Sequence, residues 1–186
     1  MKILSLTCLS LGFLAFSSAA HAQLVVHGKG DAVICYEYTA RGNMGSRSAV
    51  ATCSDALTQT LSRKDEAATL VNRGILLMRK GDQKRASEDY QAAIKIKPEL
   101  TEAYVNYGAS LIRQGKFEEA LGALNVALND TESTTRPEAL YNRAIVLDRQ
   151  EDYKAAYFDL KEALAIRPGW SPAVALIDRY QVRKAG

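Results

Sequence analysis

Two polar residue types recur along this chain at matching intervals. One set is Asn72, Asn106 and Asn142; the other is Arg79, Arg113 and Arg149. Each arginine follows its asparagine by seven residues, so on a helix the two share one face, two turns apart. An asparagine amide both donates and accepts, which is the pattern a peptide backbone requires. A guanidinium holds a carboxylate through two parallel bonds. The six side chains are therefore candidate contacts for an acidic or C-terminal peptide segment. A plainer reading also applies: an arginine near a helix C-terminus complements the helix dipole whether or not anything binds. Residues for catalysis are missing. The chain contains no glycine-rich phosphate loop, no His-x-x-His or His-Glu pair and no Gly-x-Ser-x-Gly. Its carboxylate pairs, Glu118-Glu119 and Glu151-Asp152, fall at expected helix starts, where they cap and complement the dipole. The expectation is a protein that is not an enzyme, with no cofactor and no metal site.

The ladders need helices in register, and the apolar pattern supplies them. Gly74, Ala86, Tyr90, Ala93 and Pro98 mark one stretch. Gly108, Ala120, Leu124 and Ala127 repeat it 34 residues later, and Ala144, Ala156, Leu160, Ala163 and Pro168 repeat it after 36 more. A small residue is followed twelve later by Ala, then by a bulky apolar residue, then by Ala. Such spacing describes a pair of antiparallel helices that cross closely at the small residues, with Gly74 facing Ala86 across the turn. Gly81-Asp82 and Gly115-Lys116 are turn signals between the two helices of a pair. One hairpin cannot bury its apolar face alone, so consecutive hairpins must stack.

These motifs resemble the tetratricopeptide repeat family, over residues 66–168 as three units (66–99, 100–133 and 136–169). The resemblance implies an all-α solenoid whose first helices line a concave surface that binds an extended peptide or a partner's helix. On that template both ladders project into the groove, and asparagine at this position is common in the family. Two departures stand out. Leu70 and Leu140 replace an early aromatic, and the second unit lacks the closing proline where the linker from Asp130 to Arg136 begins. The two-Lys, two-Asn, one-Arg clamp for chaperone tails is not reproduced, since only Asn106 fits and Val71, Ile75 and Glu138 stand at other clamp positions. Small exported bacterial repeat proteins with a Cys pair ahead of the array look similar.

The ends carry further expectations. Residues 1–22 read as a signal peptide: Lys2, an apolar run, then Ala20-His21-Ala22 before Gln23. Ser5-Leu6-Thr7 ahead of Cys8 fits a lipoprotein site poorly. Cleavage would lower the formal net charge from +3 to +2 by removing Lys2, a balance too small to attract nucleic acid or an anionic membrane. No later stretch is long and apolar enough to span a membrane. Cys35 and Cys53 remain as an even pair, which in an oxidising compartment reads as one disulfide. Each lies nine residues from Met44, the middle of a turn-rich segment, so an antiparallel helix pair brings them together. The expected organisation is residues 23–65 as a stapled hairpin, with Leu24-Val25-Val26 as a short strand or extended arm. Residues 170–186 then form a capping helix, with Ser171 as N-cap and Pro172 first in the helix. The implied location is the periplasm or outside the cell, and the implied partner a protein or peptide. A second class of function is self-assembly into a homo-oligomer, for which Trp170 is the candidate anchor.

Overall fold

Each helix of the repeat starts and stops where local chemistry places it. The computed structural model describes residues 5–8, 24–26, 30–42 and 47–183. Helices α1 (Asp31–Ala40) and α2 (Arg47–Ala56) form the first hairpin, followed by α3 (Arg63–Arg79) with α4 (Gln83–Ile96). Next come α5 (Thr101–Arg113) with α6 (Phe117–Leu128), α7 (Arg136–Arg149) with α8 (Tyr153–Ile166), and α9 (Ser171–Ile177). Ser62 caps α3 by accepting from the Asp65 amide, and Asp82 and Asp152 do the same for α4 and α8. Gly81 and Gly115 turn the chain at φ of 85° and 74°. The third unit makes the same turn with Glu151 at φ 64°, a conformation that side chains normally avoid.

The helices stack as the repeat demands. α4 packs on α5 and α6 on α7, while α3 touches α5 and α5 touches α7, so the first helices stand side by side. The crossing is close at the small residues, and the bulky apolar residue of each hairpin fills it. A Cβ on Gly74 would lie 2.5 Å from the Tyr90 ring, and one on Gly108 would lie 2.7 Å from Leu124 Cγ. The tightest contact is thus with the bulky residue sixteen positions on. The large side chain lies over the small one and fills the hairpin from within. Tyr90, Leu124 and Leu160 are each fully buried.

A second device ties the hairpins, and sequence reading missed it. Arg73 grips Asp89 with Nε–Oδ2 at 2.8 Å and Nη2–Oδ1 at 2.6 Å. Seventy residues on, Arg143 grips Asp159 the same way, at 2.8 Å for both bonds. Each fork joins the two helices of its hairpin. Its remaining nitrogen reaches the preceding unit, to Ser54 from Arg73 and to Asn125 from Arg143. Bonding to the carboxylate raises the guanidinium pKa in both cases, against the opposing effect of burial. The middle unit has Tyr107 and Ala123 at these positions. There Tyr107 Oη meets Gln91 of α4 instead, and a cavity of about 300 Å³ opens beside Ile94, Tyr104 and Val126.

The ends depart from the expected layout in several places. Cys35 and Cys53 are bonded, with their Cα atoms 4.9 Å apart, and α2 ends at Ala56. Residues 43–46 of the expected turn lie outside the described residues. Helix α9 ends at Ile177 rather than continuing to Arg183, and Trp170, not Ser171, holds the N-cap position. Asp148 accepts from Tyr180 Oη at 2.6 Å and lies 3.8 Å from Arg179. Those contacts draw the chain off the helix axis. Strand β2 (Tyr180–Arg183) then pairs antiparallel with β1 (Ser5–Cys8), Cys8 opposite Tyr180. Because β1 falls inside the expected signal peptide, this ladder belongs to the uncleaved chain. The rest of that peptide's apolar run, from Leu9, lies outside the described residues. Trp170 tilts against Tyr141 at 5.1 Å and sits under the Arg167 guanidinium at 4.9 Å, a packing role beneath α9. Among the described residues no helix is long and apolar enough to cross a membrane.

Three stability measurements check this account. Reducing Cys35–Cys53, or Cys53→Ala, should lower unfolding free energy by roughly 3 kcal/mol, the chain-entropy value for a loop of this size; denaturant titration with and without reductant reads it. Asp89→Ala leaves a half-buried guanidinium without its carboxylate and should cost about 1.5–3 kcal/mol, with Asp159→Ala costing a similar amount. Tyr90 gives a sharper contrast. Its hydroxyl is buried without a hydrogen-bond partner, and burial pushes its pKa well above the ordinary 10.0. The folded chain therefore keeps a proton that the unfolded chain loses above pH 10, so stability falls as pH rises past that point. Tyr90→Phe should fold with near-unchanged stability at neutral pH and lose part of the alkaline decline.

Candidate functional site

Residues two apart on a helix point about 200° from one another at 3.6 residues per turn. Gly74 faces α4 through Tyr90, so Asn72 faces the opposite way, onto the surface shared by the first helices. Asn106 and Asn142 have the same relation to Gly108 and Ala144. The three asparagines thus share one register, but all three side chains are fully buried rather than projecting freely into a groove.

Their surroundings divide them. Asn72 Nδ2 donates to the Leu24 carbonyl at 2.8 Å, and its Oδ1 accepts from the Leu24 amide at 3.4 Å. One amide side chain therefore engages both backbone polar groups of one residue, as a neighbouring strand would. The segment Leu24–Val26 forms neither strand nor helix. Val26 is buried with Ala32, Ala56 and Ala68, at the junction of α1, α2 and α3, while Val25 stays about half exposed. Asn142 stands in the same register with neither Nδ2 nor Oδ1 hydrogen-bonded. An unpaired buried polar group costs about 1–3 kcal/mol.

The arginine ladder divides as well. Arg79 donates to the Thr39 carbonyl at 2.8 Å, close to the C-terminal end of α1, and burial lowers its pKa. It docks the first hairpin on the second. Arg113 and Arg149 are exposed, and neither makes an ion pair with another described residue. Two acidic residues of the first-helix row pair with other groups. Glu138 takes Arg167 at 2.7 Å, and Asp148 takes Tyr180 and Arg179. No cluster of three or more His, Cys, Asp or Glu able to hold a metal occurs among the described residues.

Sequence reasoning missed the Arg–Asp forks and the docking of Leu24. The forks had a legible signal, Arg73/Asp89 and Arg143/Asp159 at one spacing and one repeat register. The arm had none, because its partner lies 48 residues away.

Two family models described as "Tetratricopeptide repeat" match residues 67–100 and 137–170. Unit two, between them, is matched by neither, yet α5 and α6 pair as the helices on either side do. No curated protein matches the chain. Among solved structures, PilW, described as a widely conserved type IV pilus biogenesis factor, shares 27% identity at a TM-score of 0.68, over 80% of this chain and 69% of that one. YrrB, described as a TPR protein with an unusual peptide-binding site, shares 20% identity at 0.63, over 79% and 74%. MamA from Desulfovibrio magneticus RS-1 shares 18% at 0.62, over 80% and 82%. The last two likenesses concern fold alone. Repeat register, helix pairing and these matches agree: the chain is a member of the tetratricopeptide repeat family, an all-α solenoid of the protein–protein interaction kind.

Proposed function

We propose that this chain is an exported adaptor that holds an extended segment of a partner protein along the inner face of its first helices. Asn142 pairs with the segment's backbone, and Arg113 and Arg149 take its carboxylates, from acidic side chains or a C-terminus. The observation that carries this reading is the contrast between two asparagines in one register. Asn72 engages backbone N–H and C=O together, while the equivalent amide of Asn142 is buried with both atoms unpaired. The free charges of Arg113 and Arg149 lie seven residues on from Asn106 and Asn142, on the same faces. Export is supported by the signal-like first 22 residues and by the Cys35–Cys53 bond, which persists in oxidising compartments. The likeness to PilW, a pilus biogenesis factor, agrees with a place in the cell envelope.

The test pairs stability with capture. Cross-linking in intact cells identifies the bound protein, and its segment is then titrated against variants. Arg113→Ala with Arg149→Ala should weaken binding at least about tenfold, since a charged hydrogen bond contributes about 1.5–3 kcal/mol. Asn142→Leu should weaken it too while leaving melting temperature unchanged or higher, because it removes two unpaired buried groups. Unchanged affinity in both variants would sink the proposal.

A further inference from the structure

We propose that the inner-face site at Asn72 is a receptor for an extended apolar segment, that Leu24–Val26 fills it in cis, and that a partner's segment of the same kind displaces this arm. The inference rests on the inner-face reading above and adds both a ligand class and a control. Three features of the contact support it. The recognition is of backbone: Asn72 reads the Leu24 N–H and C=O, which every non-proline residue offers. The selectivity is apolar and branched: Val26 enters a recess walled by Ala32, Ala56 and Ala68, where only small side chains leave room. Leu24 packs beside it against the same cluster.

The hold is also weak enough to exchange. One of its two hydrogen bonds is long, at 3.4 Å, and Val25 contributes little burial. Burying one valine fully and one leucine partly is of the same order as the entropy lost in ordering three residues. An occupant so poised lowers the apparent affinity of a competitor by the fraction of time the site is closed. The arm begins one residue after the expected cleavage point at Ala22, so processing would leave it at the new N-terminus. A segment arriving at Asn72 could continue along the inner face toward Asn106 and Asn142.

The probe is a fluorescent peptide of residues 23–30, amidated at its C-terminus. It carries no carboxylate, so it reports on the Asn72 site and not on Arg113 or Arg149. The protein is the full chain with its disulfide intact. Val26→Asp should free the arm and bind the probe about twofold more tightly than the unaltered chain, since an arm held near balance closes the site about half the time. Adding Asn72→Ala to that variant should abolish the gain. Should Val26→Asp fail to keep its helical circular dichroism, Leu24→Pro takes its place, because it removes the N–H that Asn72 accepts from while leaving the recess intact. Equal probe affinity for the unaltered and arm-freed chains would overturn the proposal, as would no binding to a folded arm-freed chain. Either result leaves the Arg113, Arg149 and Asn142 measurements standing, so the two readings fail separately.

Discussion

The distance between the two helices of a hairpin governs most of this molecule. At Gly74 there is no room for even one carbon, because the Tyr90 ring already occupies the space. Gly108 is covered by Leu124 in the same way. A side chain placed there would force the pair apart and misalign every contact the outer surfaces make with the next hairpin. Interiors are close-packed and transmit such strain. The stacking of α4 on α5 and of α6 on α7 follows from this one spacing, and so does the row of first helices that carries Asn72, Asn106 and Asn142.

The Arg73–Asp89 and Arg143–Asp159 forks work with that packing rather than replacing it. Each fixes the rotation of one helix about its neighbour and reaches back to the preceding unit. The middle unit lacks the fork and packs Tyr107 against Gln91, leaving a cavity where the salt bridge would have been. The solenoid therefore has an Arg–Asp fork in its first and third full repeats and none in the second. Cys35–Cys53 belongs to the same logic. An end hairpin has a neighbour on one side only, and a covalent link makes up for the missing interface.

Function on this scaffold turns on which inner-face polar groups the fold itself consumes. Arg79 and Asn72 look equivalent to their counterparts in the other units, yet both are engaged internally, one with Thr39 and the other with Leu24. Arg113 and Arg149 stay exposed, and Asn142 is buried with its amide unpaired.

Much of this was legible in the residues. The repeat spacing placed six helices of three hairpins to within a few residues, because the 3.6-residue period and the turn glycines are local properties. The pairing of Cys35 with Cys53 could likewise be read from their even count and their equal spacing about Met44. Other features were decided only in three dimensions. Whether Gly74 meets Ala86 or Tyr90 depends on the rotation of two packed helices. The end of α9 at Ile177 depends on Asp148 drawing Tyr180 aside. Above all, Asn72 and Arg79 are engaged within the fold, whereas their counterparts Asn142, Arg113 and Arg149 lack those contacts. A repeat pattern states which positions are equivalent along the chain. Only packing determines which neighbours each position meets, and hydrogen-bonding capacity already used by a neighbour is lost to a ligand.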